Sequence, residues 1–548
     1  MEPQMNTDNH GYKNWKDRCR LSQNMLPLSV SICVYLWLIL LSSCASKPTD
    51  MRSLVPSDTL VYLETNDLAA ALQPIVDSKP FNEVAKRKPD FSALKGVQLA
   101  VAVTGFETSE EKLTDENSVG RIQPHFVAIA DTHAWTYQAV AFAEQKLGSF
   151  VADIYGSEPK LEKSEKGDAK YFTWTAKDGR KAFALVTGSL IYFGNDESSI
   201  EKAMAVKRGE TDSIVKTGKV QPANPATLAS GYVSTDGIAQ IANILGLKFA
   251  SEASEESEVQ SAIAGILPQL LRNTVTDISW TSTKTEQGIE DRYQISMPPE
   301  IANVFSETMA PGGKAEPILY AHLCDVPTAT RYNFKDPRIA WKSVLLVLQK
   351  QTDMLGGKIV GELSKILFEP YGINDPEMFL SGVDSNILTA NIDIDGEKPF
   401  VIATIRDAQK VVKSIAPKKV GDGMTDEGIN FWRSEDGEYE AVVWPDSIIL
   451  GSVEGVGSGF GGGRFPSTTP DKAVLDRLDG SISPIATIGH DTTTTLSLVD
   501  ILAHEGHGDT KILSTYCTET RFTKSGMERK TTSDFGLIGS IIAQLNPE

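Results

Sequence analysis

The sequence predicts an α+β fold made of two homologous tandem domains, each a largely antiparallel sheet packed with helices. Three observations predict it. Short β-branched and aromatic runs alternate with segments of helical spacing along the chain. Asp-Gly pairs stand between such runs, a strong hairpin signal and hence a sign of antiparallel pairing. The chain also resembles itself at a shift of 258 residues.

That self-similarity falls in three separate places. Leu60-Val61-Tyr62 lies on Ile318-Leu319-Tyr320, and Asp67 on Asp325. Trp174, Asp178-Gly179, Ser189 and Ile191 lie on Trp432, Asp436-Gly437, Ser447 and Ile449. Gly231 lies on Gly489, each ahead of a polar turn and a Leu/Ile-rich segment. Near the C-terminus the shift shortens by about 20, where Gly288-Ile289-Glu290 resembles Gly526-Met527-Glu528. The expected domains are residues 52–308 and 316–548, joined by a linker at 309–315 that contains Pro311-Gly312-Gly313-Lys314.

In the first copy, 59–64 reads as a strand, and Asp67 caps a short helix that Pro74 interrupts. Strands are expected at 98–103 and 125–130. Asp131 should cap a helix over 132–147, with Trp135, Ala139 and Phe142 on one face. Hairpin strands flank Asp178-Gly179, a strand follows at 190–193, and Ser198-Ser199-Ile200-Glu201 resembles a capping box. A strand near 229–233, helices near 237–245 and 262–271, and a hairpin at Gln287-Gly288 complete the copy. In the second copy, Asp336-Pro337 opens a helix, strands follow at 387–392 and 400–404, and a helix lies at 408–415. A hairpin at Asp436-Gly437 then leads to a strand at 447–450. The helices are expected on one face of largely antiparallel sheets.

The N-terminus carries a separate signal. Lys13, Lys16, Arg18 and Arg20 precede a 16-residue apolar run from Leu26 to Leu41, which closes on Leu41-Ser42-Ser43-Cys44. The run is shorter than the roughly 20 residues a spanning helix needs and ends at small residues as secretory signals do. The segment resembles the signal of bacterial lipoproteins. That resemblance implies a signal peptide over 1–43, lipidation of Cys44 and a tether over 44–51. It also implies an exported protein held by its lipid in the bacterial cell envelope. Ala45 and Ser46 are not acidic, which in the enteric pattern favours the outer membrane, facing the periplasm. The alternative is one uncleaved membrane anchor, which exports the rest of the chain equally well.

The phrase Pro56-Ser57-Asp58-Thr59-Leu60-Val61-Tyr62-Leu63-Glu64 resembles the opening of a bacterial family of exported proteins of unknown function. The second copy departs from it, with Glu316-Pro317-Ile318-Leu319-Tyr320 in its place. The resemblance implies a duplicated α+β body and brings no catalytic residue with it.

The net charge is −19, and the 1–43 segment holds four cations against three acids, so the exported part is slightly more acidic still. That argues against a nucleic-acid partner, whose phosphates need a basic surface. Of five cysteines, Cys19 and Cys33 leave with the signal and Cys44 takes the lipid. Cys324 and Cys517 remain, as a disulfide or as two buried thiols.

The one concentrated chemical cluster is His490-Asp491 with Asp500, His504, Glu505, His507 and Asp509. Imidazoles and a carboxylate can hold zinc, which makes His490, His504, His507 and Asp509 candidate ligands. The motif is His-x-x-His, without the Glu placement of zinc proteases, and Gly506 and Gly508 suggest an ending helix. The favoured reading is therefore a solvated helix end and no cofactor. Gly457, Gly459 and Gly462 spell Gly-x-Gly-x-x-Gly after an expected strand, but Phe465-Pro466 cannot open the helix a phosphate site needs. A flexible loop is expected there. No nucleophile stands beside a base in the motifs that catalysis favours.

The reading is a lipid-anchored envelope protein, more binding or scaffolding module than enzyme, with its membrane and a protein or envelope component as partners. A groove between the halves is the natural place for a ligand. The alternatives are a metal-dependent hydrolase using the His cluster, with Glu505 as base, and a periplasmic carrier of an apolar ligand.

Overall fold

The computed structural model describes residues 48–543, apart from 113–117, 156, 223, 225, 254–256, 313–326, 353, 394–395, 420–428, 461–477, 479, 492 and 504–513. It is α+β. Among the described residues, twenty strands form one antiparallel sheet. The first ten are β1 (Val61–Thr65), β2 (Gln98–Lys112), β3 (Ser118–Asp131), β4 (Lys160–Lys166), β5 (Ala169–Thr175), β6 (Lys181–Thr187), β7 (Leu190–Gly194), β8 (Thr227–Val233), β9 (Asp277–Thr285) and β10 (Gly288–Ser296). The second ten are β11 (Thr328–Asn333), β12 (Val383–Asn391), β13 (Pro399–Ile405), β14 (Lys418–Lys419), β15 (Asn430–Arg433), β16 (Tyr439–Val443), β17 (Ser447–Ser452), β18 (Ile485–Asp491), β19 (Ser514–Thr523) and β20 (Gly526–Ser533).

Pairing gives the order 4-5-6-7-3-2-1-8-9-10 for the first ten strands. The second ten run 14-15-16-17-13-12-11-18-19-20, the same order with ten added to each number. The two series join where β10 pairs with β20. Gly288 and Gly526 open these strands, both at positive φ, as tight hairpin turns require. Counted from them, Arg292 and Lys530 are each the fifth residue, and they face each other across the join.

Helices cover both faces, not the one face expected. The reason is that central strands such as β13 and β17 are buried on successive residues, so both faces carry apolar side chains. In the first series Leu99, Phe126 and Ala128 point into a core with Phe81, Phe142 and Trp174. Ala100, Val127 and Ile129 point the other way, to Met51, Ile200 and Ala203. The second series has the same two layers, one with Phe379 and Val411, the other with Phe400 and Val456.

The last helix of each series crosses the join. The Gly536–Ala543 helix packs on the Leu68–Asp77 helix, and Phe535 and Ile542 enter the first core. Reciprocally, the Pro299–Thr308 helix packs on the Pro337–Lys350 helix, and Phe305 stacks on Phe522 of β19 at 4.9 Å.

Several local expectations shift. The helix expected from Thr132 starts only after Trp135, which is 73% exposed. The intervening loop is pinned instead: Asp131 accepts from the His133 N–H, and Thr132 donates its hydroxyl to Ser189 O. Asp196, not Ser198, caps the Glu197–Lys207 helix and accepts from Ser199 N–H. Pro74 lies inside the Leu68–Asp77 helix rather than ending it. The stretch expected as a loop from Gly455 begins inside a helix, Val453–Phe460, which holds Gly457 and Gly459; Gly462 lies outside the described residues. The place of β1 is taken in the second series by β11, with Asp336 capping the next helix as Asp67 does after β1. Residues 318–320 and Asp325 lie outside the described residues.

Candidate functional site

Two sizeable cavities among the described residues lie at the β10–β20 join, one on each face. In an antiparallel ladder, directly opposed residues share a face. Following the register from β1 gives one such row: Glu64, Ser230, Thr281, Arg292, Lys530, Glu519, Ala486 and Arg331. Buried charges stand at both ends of the row, and exposed charges at its middle.

At one end Glu64 is 3% exposed, accepting from the Tyr62 hydroxyl at 2.7 Å and the Ser230 hydroxyl at 3.0 Å. Burial pushes its carboxyl above the usual range, against the pull of those hydrogen bonds. At the other end Arg331 is fully buried and donates Nη2 to Ser481 O at 2.8 Å and Ser483 O at 3.3 Å.

Between them opens a groove of about 470 Å³ over β9, β10, β20 and β19. Its charges come in pairs. Arg292 donates Nε to Glu290 at 2.6 Å, Arg521 pairs with Glu528, and Lys530 with Glu519. Burial tends to raise the Glu519 carboxyl, but Lys530, the Ser481 hydroxyl and the Arg331 charge outweigh it and hold it below the usual value. Ile482, 79% exposed, stands at the rim. Paired, half-hydrated charges suit reversible docking of a polar ligand, because each pair can be exchanged for a contact of the same sign pattern.

On the opposite face a smaller cavity of about 240 Å³ is lined by Tyr293, Tyr516, Thr531, Ser533, Asp534 and Ser540, with Asp291 at its inner wall. Asp291 is 1% exposed and accepts from Trp280 Nε1 at 3.0 Å and from Leu537 N–H at 2.7 Å. Burial raises its carboxyl despite these donors, and burial likewise pushes the Tyr293 hydroxyl well above its usual value.

The residues singled out from sequence lie elsewhere. His490 is the last residue but one of β18, where its backbone N–H donates to Pro327 O. Its Nδ1 is buried without a hydrogen-bond partner among the described residues. Asp500 is half-buried on the Thr493–Ala503 helix. His504, Glu505, His507 and Asp509 lie outside the described residues, as do Cys44 and Cys324. Cys517 is half-buried on β19 against the second core. Among the described residues no group of three His, Cys, Asp or Glu side chains could hold a metal.

No family model matches the chain. No curated protein matches it either. Two solved structures are similar at a TM-score of 0.20 and 9% identity: "Structure of crystal form IV of TP0453", covering 43% of this chain and 98% of that one, and "Structure of crystal form III of TP0453", covering 41% and 98%.

The groove was within reach of sequence reasoning. The repeated Gly-apolar-Glu turn that marks β10 and β20 also sets Arg292 and Lys530 at equal places. What was missing was that these two strands pair with each other.

Proposed function

We propose that the chain is a lipid-anchored cell-envelope protein, a tandem duplication whose two α+β halves bind a polar, charged envelope component in the groove where they join. The observation that carries this reading is the groove's position. It spans the last two strands of both ten-strand series and has Arg292 and Lys530 facing each other at its centre. Cavities between units are where ligands collect most often. The shared strand order supports the duplication, and the basic segment, apolar run and Cys44 support the anchor. Among the described residues no helix is long and apolar enough to cross a membrane.

A photo-crosslinking residue in place of Gln294, in the full chain in intact cells, tests the groove. An adduct that disappears in an Arg292→Glu/Lys530→Glu background supports it. Adducts indifferent to those charges would remove the groove from consideration. Incorporation of an alkyne fatty acid that is lost in Cys44→Ser tests the anchor separately.

A second reading has one observation in its favour, the buried Nδ1 of His490, which has no hydrogen-bond partner among the described residues. It is a zinc-dependent hydrolase with His490, His504, His507 and Asp509 as ligands. About one zinc per purified chain, lost in His504→Ala/His507→Ala, would favour it over the binding module.

A further inference from the structure

Trp135 and Tyr137 are 73% and 70% exposed, the most exposed large aromatic side chains among the described residues. An exposed Trp and Tyr together, two residues apart, are costly to leave in water, and each ring carries one polar atom for a wet boundary. Their presentation is built rather than loose. His133 takes a left-handed φ of 49°, rare for a residue with a side chain. Its N–H donates to Asp131 Oδ1 at 3.0 Å, and the Ala134 N–H donates to the Thr132 hydroxyl at 3.2 Å. The Thr132 hydroxyl in turn donates to Ser189 O at 2.8 Å. Trp135 N–H closes the turn onto Gln138 Oε1 at 3.1 Å. These bonds fix the loop so that Trp135 and Tyr137 project from the start of the Thr136–Phe142 helix.

The base of the same loop holds the beginning of the described chain. The Thr49 hydroxyl donates to Asp131 Oδ2 at 2.6 Å. Gln98 brackets Thr49, accepting from its N–H and donating to its carbonyl, both at 2.8 Å. Cys44 is five residues before Thr49. Five extended residues reach at most about 18 Å, and the four from Asp131 to Trp135 about 14 Å. Any lipid on Cys44 therefore enters a bilayer close to the Asp131 loop, and the bilayer surface comes within reach of the two exposed rings. Trp and Tyr are the side chains enriched at that boundary.

We propose that Trp135 and Tyr137 are an interfacial aromatic contact that seats this end of the first sheet on the membrane to which Cys44 is tethered. The inference rests on the lipoprotein reading. The seating supplements the lipid and fixes the orientation of the body, with the Asp131 loop toward the bilayer.

The test uses the full lipidated chain in vesicles of phosphatidylethanolamine and phosphatidylglycerol, with and without nitroxide-labelled lipids. Trp135→Phe is compared with the unaltered protein, and fatty-acid incorporation at Cys44 is read on the same samples. Expected are acylated Cys44 and tryptophan quenching by shallow nitroxides that Trp135→Phe abolishes. Acylated Cys44 with quenching that is absent, or unchanged by Trp135→Phe, overturns the seating and leaves the anchor standing. Failure to acylate Cys44 overturns both. A Trp135→Ser/Tyr137→Ser variant with an unchanged denaturation midpoint, and lost protection of the segment around Thr49 from protease on vesicles, would separate seating from folding.

Discussion

Asp291 in the tenth strand accepts the backbone N–H of Leu537, a residue 246 positions further along the chain, at 2.7 Å. The carboxylate thereby serves the first turn of the helix that crosses the join, while its other oxygen takes the indole N–H of Trp280. One buried side chain thus ties β9, β10 and the C-terminal helix. Asp291→Ala leaves two buried donors without a partner, a loss of about 2–4 kcal/mol. The expected result is a lower urea midpoint together with early protease cleavage near the Gly536–Ala543 helix. An unchanged midpoint would mean that this tie does not hold the two strand series together.

Glu64 gives a pH dependence. Burial raises its folded carboxyl above the unfolded value. A group shifted this way contributes its stability below the unfolded value, and that contribution is lost as pH rises through the folded value. Glu64→Gln has no such loss. The stability of the variant relative to the unaltered protein should therefore improve as pH is raised from about 4 towards 7. Parallel denaturant titrations check this. A relative stability that falls with pH would show the Tyr62 and Ser230 hydrogen bonds outweighing the cost of burial.

Gly194 and Gly451 lie at or near the ends of β7 and β17, and both face a paired strand. A Cβ on Gly194 would meet Phe126 O at 2.4 Å, and one on Gly451 would meet Pro399 O at 2.3 Å. Both obstacles are backbone, which cannot move aside as a flexible side chain can. Alanine at either position should cost about 1–3 kcal/mol. Similar losses from the two, read from urea midpoints, are expected because the two strand series share one order.

Arg292→Glu/Lys530→Glu should act on binding and not on folding. The Arg292 side chain is 68% exposed and that of Lys530 41%, so their ion pairs contribute about 0–1 kcal/mol. The expected outcome is a melting temperature within a few degrees of the unaltered protein and loss of the Gln294-site crosslink. A large drop in melting temperature would instead make the pair a structural element of the join.

Much of the fold was legible because its signals are local. Asp178-Gly179 and Asp436-Gly437 form the turns expected of them, with both glycines at positive φ. Asp67 and Asp336 cap helices by accepting from Ala70 and Ile339. The self-similarity pointed to a shared order of elements. What escaped depends on contacts between distant segments. Nothing near Ser296 or Ser533 states that β10 and β20 pair, and the burial of Arg331 follows from Ser481 and Ser483, some 150 residues away. The Asp131 loop misled because Asp131 and Thr132, good helix-capping residues, are spent on His133, Thr49 and Ser189.

Joining the two series through β10 and β20 also governs self-association. Among the described strands, β4 and β14 stand at the two ends of this order. Open edges recruit strands from other molecules unless charge discourages it. β4 reads Lys-Leu-Glu-Lys-Ser-Glu-Lys and β14 is Lys418–Lys419, so both are guarded. Either strand series without the other would expose β10 or β20 as a further edge, nine or eight residues long. The seam that makes the groove therefore also covers two long edges through which copies of the chain could otherwise pair.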